Sequence, residues 1–193
     1  SYDSTGAVLG SSASILITTT DITPPSNPPN LQTSYIGENL LTLEWDDSID
    51  DLGVKGYNIY RNDAFLKGGI TDTSYVDSGL QPLTTYRYSV RAFDDYNNVS
   101  GPTTIQVRTV DKTPPSKPSN LQAHSVGEHQ VSLQWAASTD NVRVSSYSIF
   151  RDDQKIVEGV TGTSYTDTGL DLLKTYRYYV RATDGYNASE NSD

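Results

Sequence analysis

Displaced by 90 residues, the chain falls on itself: Trp45 meets Trp135, Tyr57 meets Tyr147, Arg61 meets Arg151 and Tyr86 meets Tyr176. From Asp21 to Asn97 the match runs without insertion or deletion, and about half of the paired positions are identical, including DxTPPS, TSY, DxGL and TYRYxVRA. The period is too long for a solenoid repeat, whose single unit cannot bury its own face. It suits a small self-contained β-domain. The sequence therefore predicts one domain over 21–110 and a second over 111–193, with 1–20 as the tail of a preceding domain or a donor strand.

Domains of this size bury only a modest fraction of their surface, so the core has to be well packed, and aromatic residues are expected to supply it. There is no Cys, which removes disulfides and thiolate metal ligands from consideration. The net charge of −10 repels nucleic-acid phosphates and anionic bilayers, and no basic cluster interrupts it. No apolar run has the length needed to cross a bilayer. Neither nucleic acid nor membrane insertion is expected.

Short stretches of alternating apolar and polar residues, separated by turn residues, predict an all-β chain. In the first copy the expected strands are 30–34, 39–45, 56–62, a weak one at 65–68, 74–76, 84–93 and 103–109, and the second copy repeats them up to Ala182. Within LTLEW, alternation puts Leu41, Leu43 and Trp45 on one face and Thr42 and Glu44 on the other. It likewise turns Tyr57 and Ile59 inward, and Tyr86, Tyr88, Val90 and Ala92. Two such faces closed on each other make a sandwich. In DITPPSNPP and DKTPPSKP, consecutive prolines lack amide donors and hold the backbone extended, so these stretches are expected to be short, stiff links outside the sheets.

These residues resemble the fibronectin type III domain, in the form found in extracellular bacterial proteins such as chitinases and cellulases. The resemblance rests on Trp45 and Trp135 in the second strand and on Tyr57 and Tyr147 in the third. It also rests on Leu80 with Tyr86 and Leu170 with Tyr176, which have the spacing of a tyrosine corner. TPPSxP at the links, STDNVRVSSYSIFRD, TSYTDTGL and the ATDGYN ending match the bacterial form. The resemblance implies two tandem immunoglobulin-like β-sandwiches of about seven strands each, with Trp45, Tyr57, Leu80, Tyr86, Trp135, Tyr147, Leu170 and Tyr176 as structural core. It implies a secreted or cell-surface module that spaces or displays its neighbours and needs no cofactor. The alternative role is adhesion, or contact with insoluble polysaccharide, as an accessory of a polysaccharide-degrading enzyme.

Candidate sites are few. Arg-Gly-Asp is absent. Asp46, Asp47, Asp50 and Asp51 form an acidic loop with the hard oxygens that calcium takes, but the second copy has Ala136 and Ala137 in place of the first two, and a solvated loop is the expectation. His124 and His129 have neither metal-ligand spacing nor a nucleophile nearby in sequence, and Asp77 and Asp167 are expected in tight turns. The chain is therefore read as non-catalytic. Tyr60, Tyr96 and Tyr186 are expected to face outward, as sheet-surface aromatics or as platforms for sugar rings. Asn98 and Asn187 match the N-glycosylation pattern, where turn chemistry is a sufficient reason for asparagine.

The two copies differ at their ends. The second stops before a counterpart of GPTTIQVRTV, and SSASILITTT precedes the first copy's link as GPTTIQVRT precedes the second's. Ile15 and Ile17 occupy the places of Ile105 and Val107, so Ile15, Ile17 and Thr19 are the candidate donor strand. Two expectations stand side by side. Either the sequence is a window on a longer array, or the chain is a fibre subunit that joins copies of itself head to tail by donating the leading strand.

Overall fold

The computed structural model describes residues 4–5 and 15–193. Among the described residues there are thirteen strands and no helix. Strands β1 (Gln32–Ile36), β2 (Leu40–Glu44), β3 (Gly56–Arg61), β4 (Ala64–Ile70), β5 (Ser74–Ser78), β6 (Thr85–Phe93) and β7 (Thr103–Arg108) form two antiparallel sheets, β1-β2-β5 and β4-β3-β6-β7. Strands β8 (Ser119–Val126), β9 (Gln130–Ala136), β10 (Ser146–Arg151), β11 (Gln154–Val160), β12 (Ser164–Thr168) and β13 (Tyr178–Thr183) form a second such pair, β8-β9-β12 and β11-β10-β13. The chain is all-β, two sandwiches in tandem, and among the described residues the outer side of β13 is paired with no strand, only with the segment 188–192 at Val180, Ala182 and Thr183.

The period-2 alternation determines what each sheet buries. Leu41, Leu43 and Trp45 from one sheet meet Tyr57, Ile59, Tyr88 and Val90 from the other, none more than 3% exposed. Each such side chain contributes about 1.5–3 kcal/mol through burial. Trp45 stands edge-on to Tyr57 with centroids 5.3 Å apart, and Trp135 repeats this with Tyr147 at 5.4 Å. The phenol oxygens are used as well. Tyr57 Oη accepts the Ser48 N–H at 3.0 Å and Tyr147 Oη accepts the Ser138 N–H at 2.9 Å, which fixes the loop that follows each tryptophan. In the corner, Tyr86 Oη accepts the Gln81 N–H and Tyr176 Oη accepts the Asp171 N–H, both at 2.8 Å.

The stretch from 65 to 68 looks weak by alternation, yet β4 is seven residues long. A two-residue hairpin makes it so. Asn62 and Asp63 both take positive φ, 51° and 65°, as do Asp152 and Asp153, which is the geometry that matches the twist of two paired strands. A second departure concerns Asp77 and Asp167. They lie in β5 and β12 and not in turns, and both are buried. Asp77 accepts hydrogen bonds from Arg61 at 2.9 Å and from Tyr88 Oη at 2.5 Å; Asp167 accepts from Arg151 at 2.8 Å and Tyr178 Oη at 2.7 Å. Their role is to receive donors across the sandwich, which the local turn pattern does not reveal.

Candidate functional site

Loops from distant parts of each copy converge where its proline link enters. Asp50 Oδ2 accepts the N–H groups of Leu52 and Gly53, both at 3.0 Å, and Asp140 Oδ2 accepts those of Val142 and Arg143 at 2.8 and 2.7 Å. With one oxygen held this way, the other, Oδ1, is buried without a partner in both copies. The link supplies a second carboxylate. Asp21 Oδ1 accepts the Thr23 N–H at 2.9 Å and Asp111 Oδ1 that of Thr113 at 3.3 Å, while Oδ2 of each is again buried and unpartnered.

The third contribution comes from the loop after β6 and β13. Asp94 accepts from the N–H groups of Tyr96 and Asn98 and from the Asn98 amide, and Asp184 accepts from Tyr186 and Asn187 in the same way. Burial works to raise both carboxyls, and these donors outweigh it, leaving both below the usual carboxylate range. The same asparagine amides reach the carbonyl oxygens of Asp21 and Asp111, at 3.3 and 3.5 Å, and so tie loop to link.

Two groups of three carboxylates result, Asp21 with Asp50 and Asp51, and Asp111 with Asp140 and Asp184, each with oxygens within 4.8 Å of one another. Of the acidic-loop candidates, Asp50 and Asp51 belong to the first group. Asp46 and Asp47 do not, and Asp46 instead accepts the Asn30 amide at 2.6 Å. Their replacement by Ala136 and Ala137 therefore has no bearing on the second group. Asp21, Asp111, Asp140 and Asp184 are not among the candidates that the sequence offers, although aspartate recurs in both copies at 21 and 111, 50 and 140, and 94 and 184.

The second group lies at the joint between the sandwiches. From the turn between β1 and β2, Glu38 accepts the N–H groups of Lys112 and Thr113, the Thr113 hydroxyl and the Asn141 amide, at 2.9–3.1 Å. The Lys112 N–H and the Thr113 hydroxyl foremost hold its carboxyl down to about 2. The Val110 N–H reaches Gly37 O at 3.2 Å. Burial first, and then neighbouring Glu38, Asp184 and Asp140, push the Asp111 carboxyl above the usual range.

The remaining candidates are dispersed. Tyr60 lies edge-on to Phe65 with the Arg91 guanidinium over its ring, while Tyr96 and Tyr186 are exposed in loops. His124 is exposed in β8, and His129 Nδ1 lies 2.7 Å from Leu170 O. Residues 15–20 carry no strand, and Ile15 and Ile17 are more than four-fifths exposed. Positions 11–14 of the candidate donor strand lie outside the described residues. Beside β13 an open cleft of about 330 Å³ is lined by Val131, Leu170, Tyr176 and Tyr178 among others. In the first sandwich Val107 of β7 packs into the corresponding core, and Tyr88 is fully buried where Tyr178 is half-buried.

A sequence model of the family described as "Fibronectin type III domain" matches residues 116–193. Those residues are a fibronectin type III domain. The first sandwich repeats that domain's sheets and its tryptophan–tyrosine pair, and the fibronectin type III domain is a non-catalytic type of module. Exoglucanase B of Cellulomonas fimi is 38% identical over 175 residues, covering 86% of this chain and 16% of that protein. Chitinase A1 of Niallia circulans is 35% identical over 170 residues, covering 85% of this chain and 24% of that protein. The chain thus spans about a quarter or less of the length of these relatives. Among solved structures, a two fibronectin type-III domain segment from chicken tenascin aligns over 85% of this chain and 95% of its own, at 21% identity and a TM-score of 0.46.

Proposed function

We propose that the chain is a non-catalytic spacer, two fibronectin type III domains divided as 21–110 and 111–193, within a secreted bacterial protein that acts on polysaccharide. Its partners are the neighbouring domains of the same protein. One observation carries this reading: the joint is clamped, with Glu38 receiving four donors from the link and the next domain. A spacer transmits position only if its joints resist bending. The similarity to an exoglucanase and a chitinase supports the setting. The pairing of Tyr60 with Phe65 and Arg91 favours sheet-surface packing over a sugar platform, which needs an open ring face. Incubated with crystalline cellulose or chitin, the chain is expected to stay in the supernatant and release no sugar. Sedimentation with either polymer would replace the spacer by an adhesive accessory module.

A second reading rests on the open cleft beside β13 and the exposed Ile15, Leu16 and Ile17. In it, the leading segment of one molecule adds as a strand to β13 of another and builds a head-to-tail fibre. Light scattering during size exclusion separates the two readings. Linear polymers that vanish on deletion of 11–20 establish donation, and a monomer at every concentration removes it.

A further inference from the structure

Each sandwich holds two carboxylate oxygens that are removed from water and accept nothing: Asp21 Oδ2 with Asp50 Oδ1, and Asp111 Oδ2 with Asp140 Oδ1. Asp111 is only 8% exposed, so its orphan oxygen belongs to a side chain more than nine-tenths buried. A third carboxylate stands within 4.8 Å in both groups. Burying an ionised carboxylate without a partner is costly, and like charges at this spacing add repulsion. The scaffold nevertheless holds them there, through the tyrosine-anchored loop and the N–H groups on Asp50 and Asp140 Oδ2.

A proton shared between Asp111 and Glu38 would relieve one oxygen of the second group. Asp94 stands beside Asp21 in the first group and offers the same relief there. In neither group does such sharing reach the second orphan, Asp50 Oδ1 or Asp140 Oδ1. A cation accounts for both.

We propose that each group is a calcium site, one ion on Asp21, Asp50 and Asp51 at the entry to the first sandwich and one on Asp111, Asp140 and Asp184 at the joint. The ligand set is oxygen only and includes no histidine, which suits a hard cation. Calcium accepts six to eight oxygens in irregular geometry, whereas magnesium demands a near-ideal octahedron. Backbone carbonyls and water complete the shell. The second ion lies beside Glu38 and the link, so binding there ties the two domains together. Affinity in the range of extracellular calcium modules, roughly 10⁻⁴–10⁻³ M, is expected.

The test uses the whole chain, stripped with a chelator and titrated with calcium by calorimetry and with terbium by luminescence sensitised through the nearby tryptophans and tyrosines. Two ions per chain and a rise in Tm with calcium are expected, one ion for each group. Asp50→Asn should lose one ion, Asp140→Asn the other, and the double variant both. Asparagine keeps a carbonyl oxygen for the loop N–H groups and puts an amide where the orphan oxygen stood, so the loop is retained. Circular dichroism checks this, and Asp21→Asn with Asp111→Asn serves as the second pair if either variant unfolds. Asp46→Asn and Asp47→Asn should keep both ions. No binding at millimolar calcium, undiminished binding in the double variants, or displacement of terbium by magnesium as readily as by calcium each overturns the proposal.

Discussion

Asp77 is enclosed between the sheets with Arg61 and Tyr88 donating to it, and removing it leaves both donors facing a low-dielectric interior. Asp77→Ala is therefore expected to lower stability by about 2–4 kcal/mol in urea denaturation, the partial exposure of Arg61 keeping the loss below that of a fully buried pair. Burial, then the hydrogen bond to Asp77, pushes the Tyr88 phenol well above its ordinary value of 10.0. The folded state thus holds the phenolic proton more tightly than the unfolded state. That contribution is complete below about pH 10 and is lost progressively as pH rises beyond it. Tyr88→Phe should flatten the alkaline limb of the stability profile, measured by urea midpoints between neutral and strongly alkaline pH. Alternation is enough to turn Tyr88 inward. What its hydroxyl meets lies 11 residues away on the opposite sheet, and local pattern carries no sign of that.

Strands β6 and β13 have nearly the same sequence and different lengths. β6 begins at Thr85 and β13 at Tyr178, three residues later in register with the repeat. In the first sandwich Thr85, Tyr86 and Arg87 lie in register with β7, while the ladder to β3 starts at Tyr88 and only Arg87 reaches the hairpin, at Asn62. Among the described residues positions 175–177 have no such strand beside them and drop out of the sheet. The Tyr176 amide should accordingly exchange with deuterium well before that of Tyr86, by about tenfold or more in rate, whereas the Arg87 and Arg177 amides donate alike to Asn62 and Asp152 at 2.9 Å. Equal protection would mean that another strand occupies the edge of β13. Alternation over TYRYYVRA matches that over TYRYSVRA, so local pattern assigns both strands one span. The shortening of β13 follows only from knowing which strand each residue pairs with.

The two sandwiches meet through Glu38, whose acceptors take donors from Lys112, Thr113 and Asn141. Glu38→Ala is expected to leave the unfolding midpoint of each sandwich nearly unchanged, within about 0.5 kcal/mol, because the residue is on the surface of both. The same variant should broaden the distribution of distances between the sandwiches, read by spin labels placed one in each. An unbroadened distribution would show that the prolines alone stiffen the joint. Glu128 stands in the second copy where Glu38 stands in the first.

The duplication, the all-β class and the inward faces of the strands follow from sequence alone, because a repeat is a property of order and side-chain alternation has a period of two residues. The grouping of carboxylates does not. Asp111 and Asp184 are 73 positions apart, and Asp140 lies between them in a loop of its own. Only the closing of two sheets on each other brings those loops to one end, which is why the acidic run at 46–51 looks like the site and the folded chain divides it.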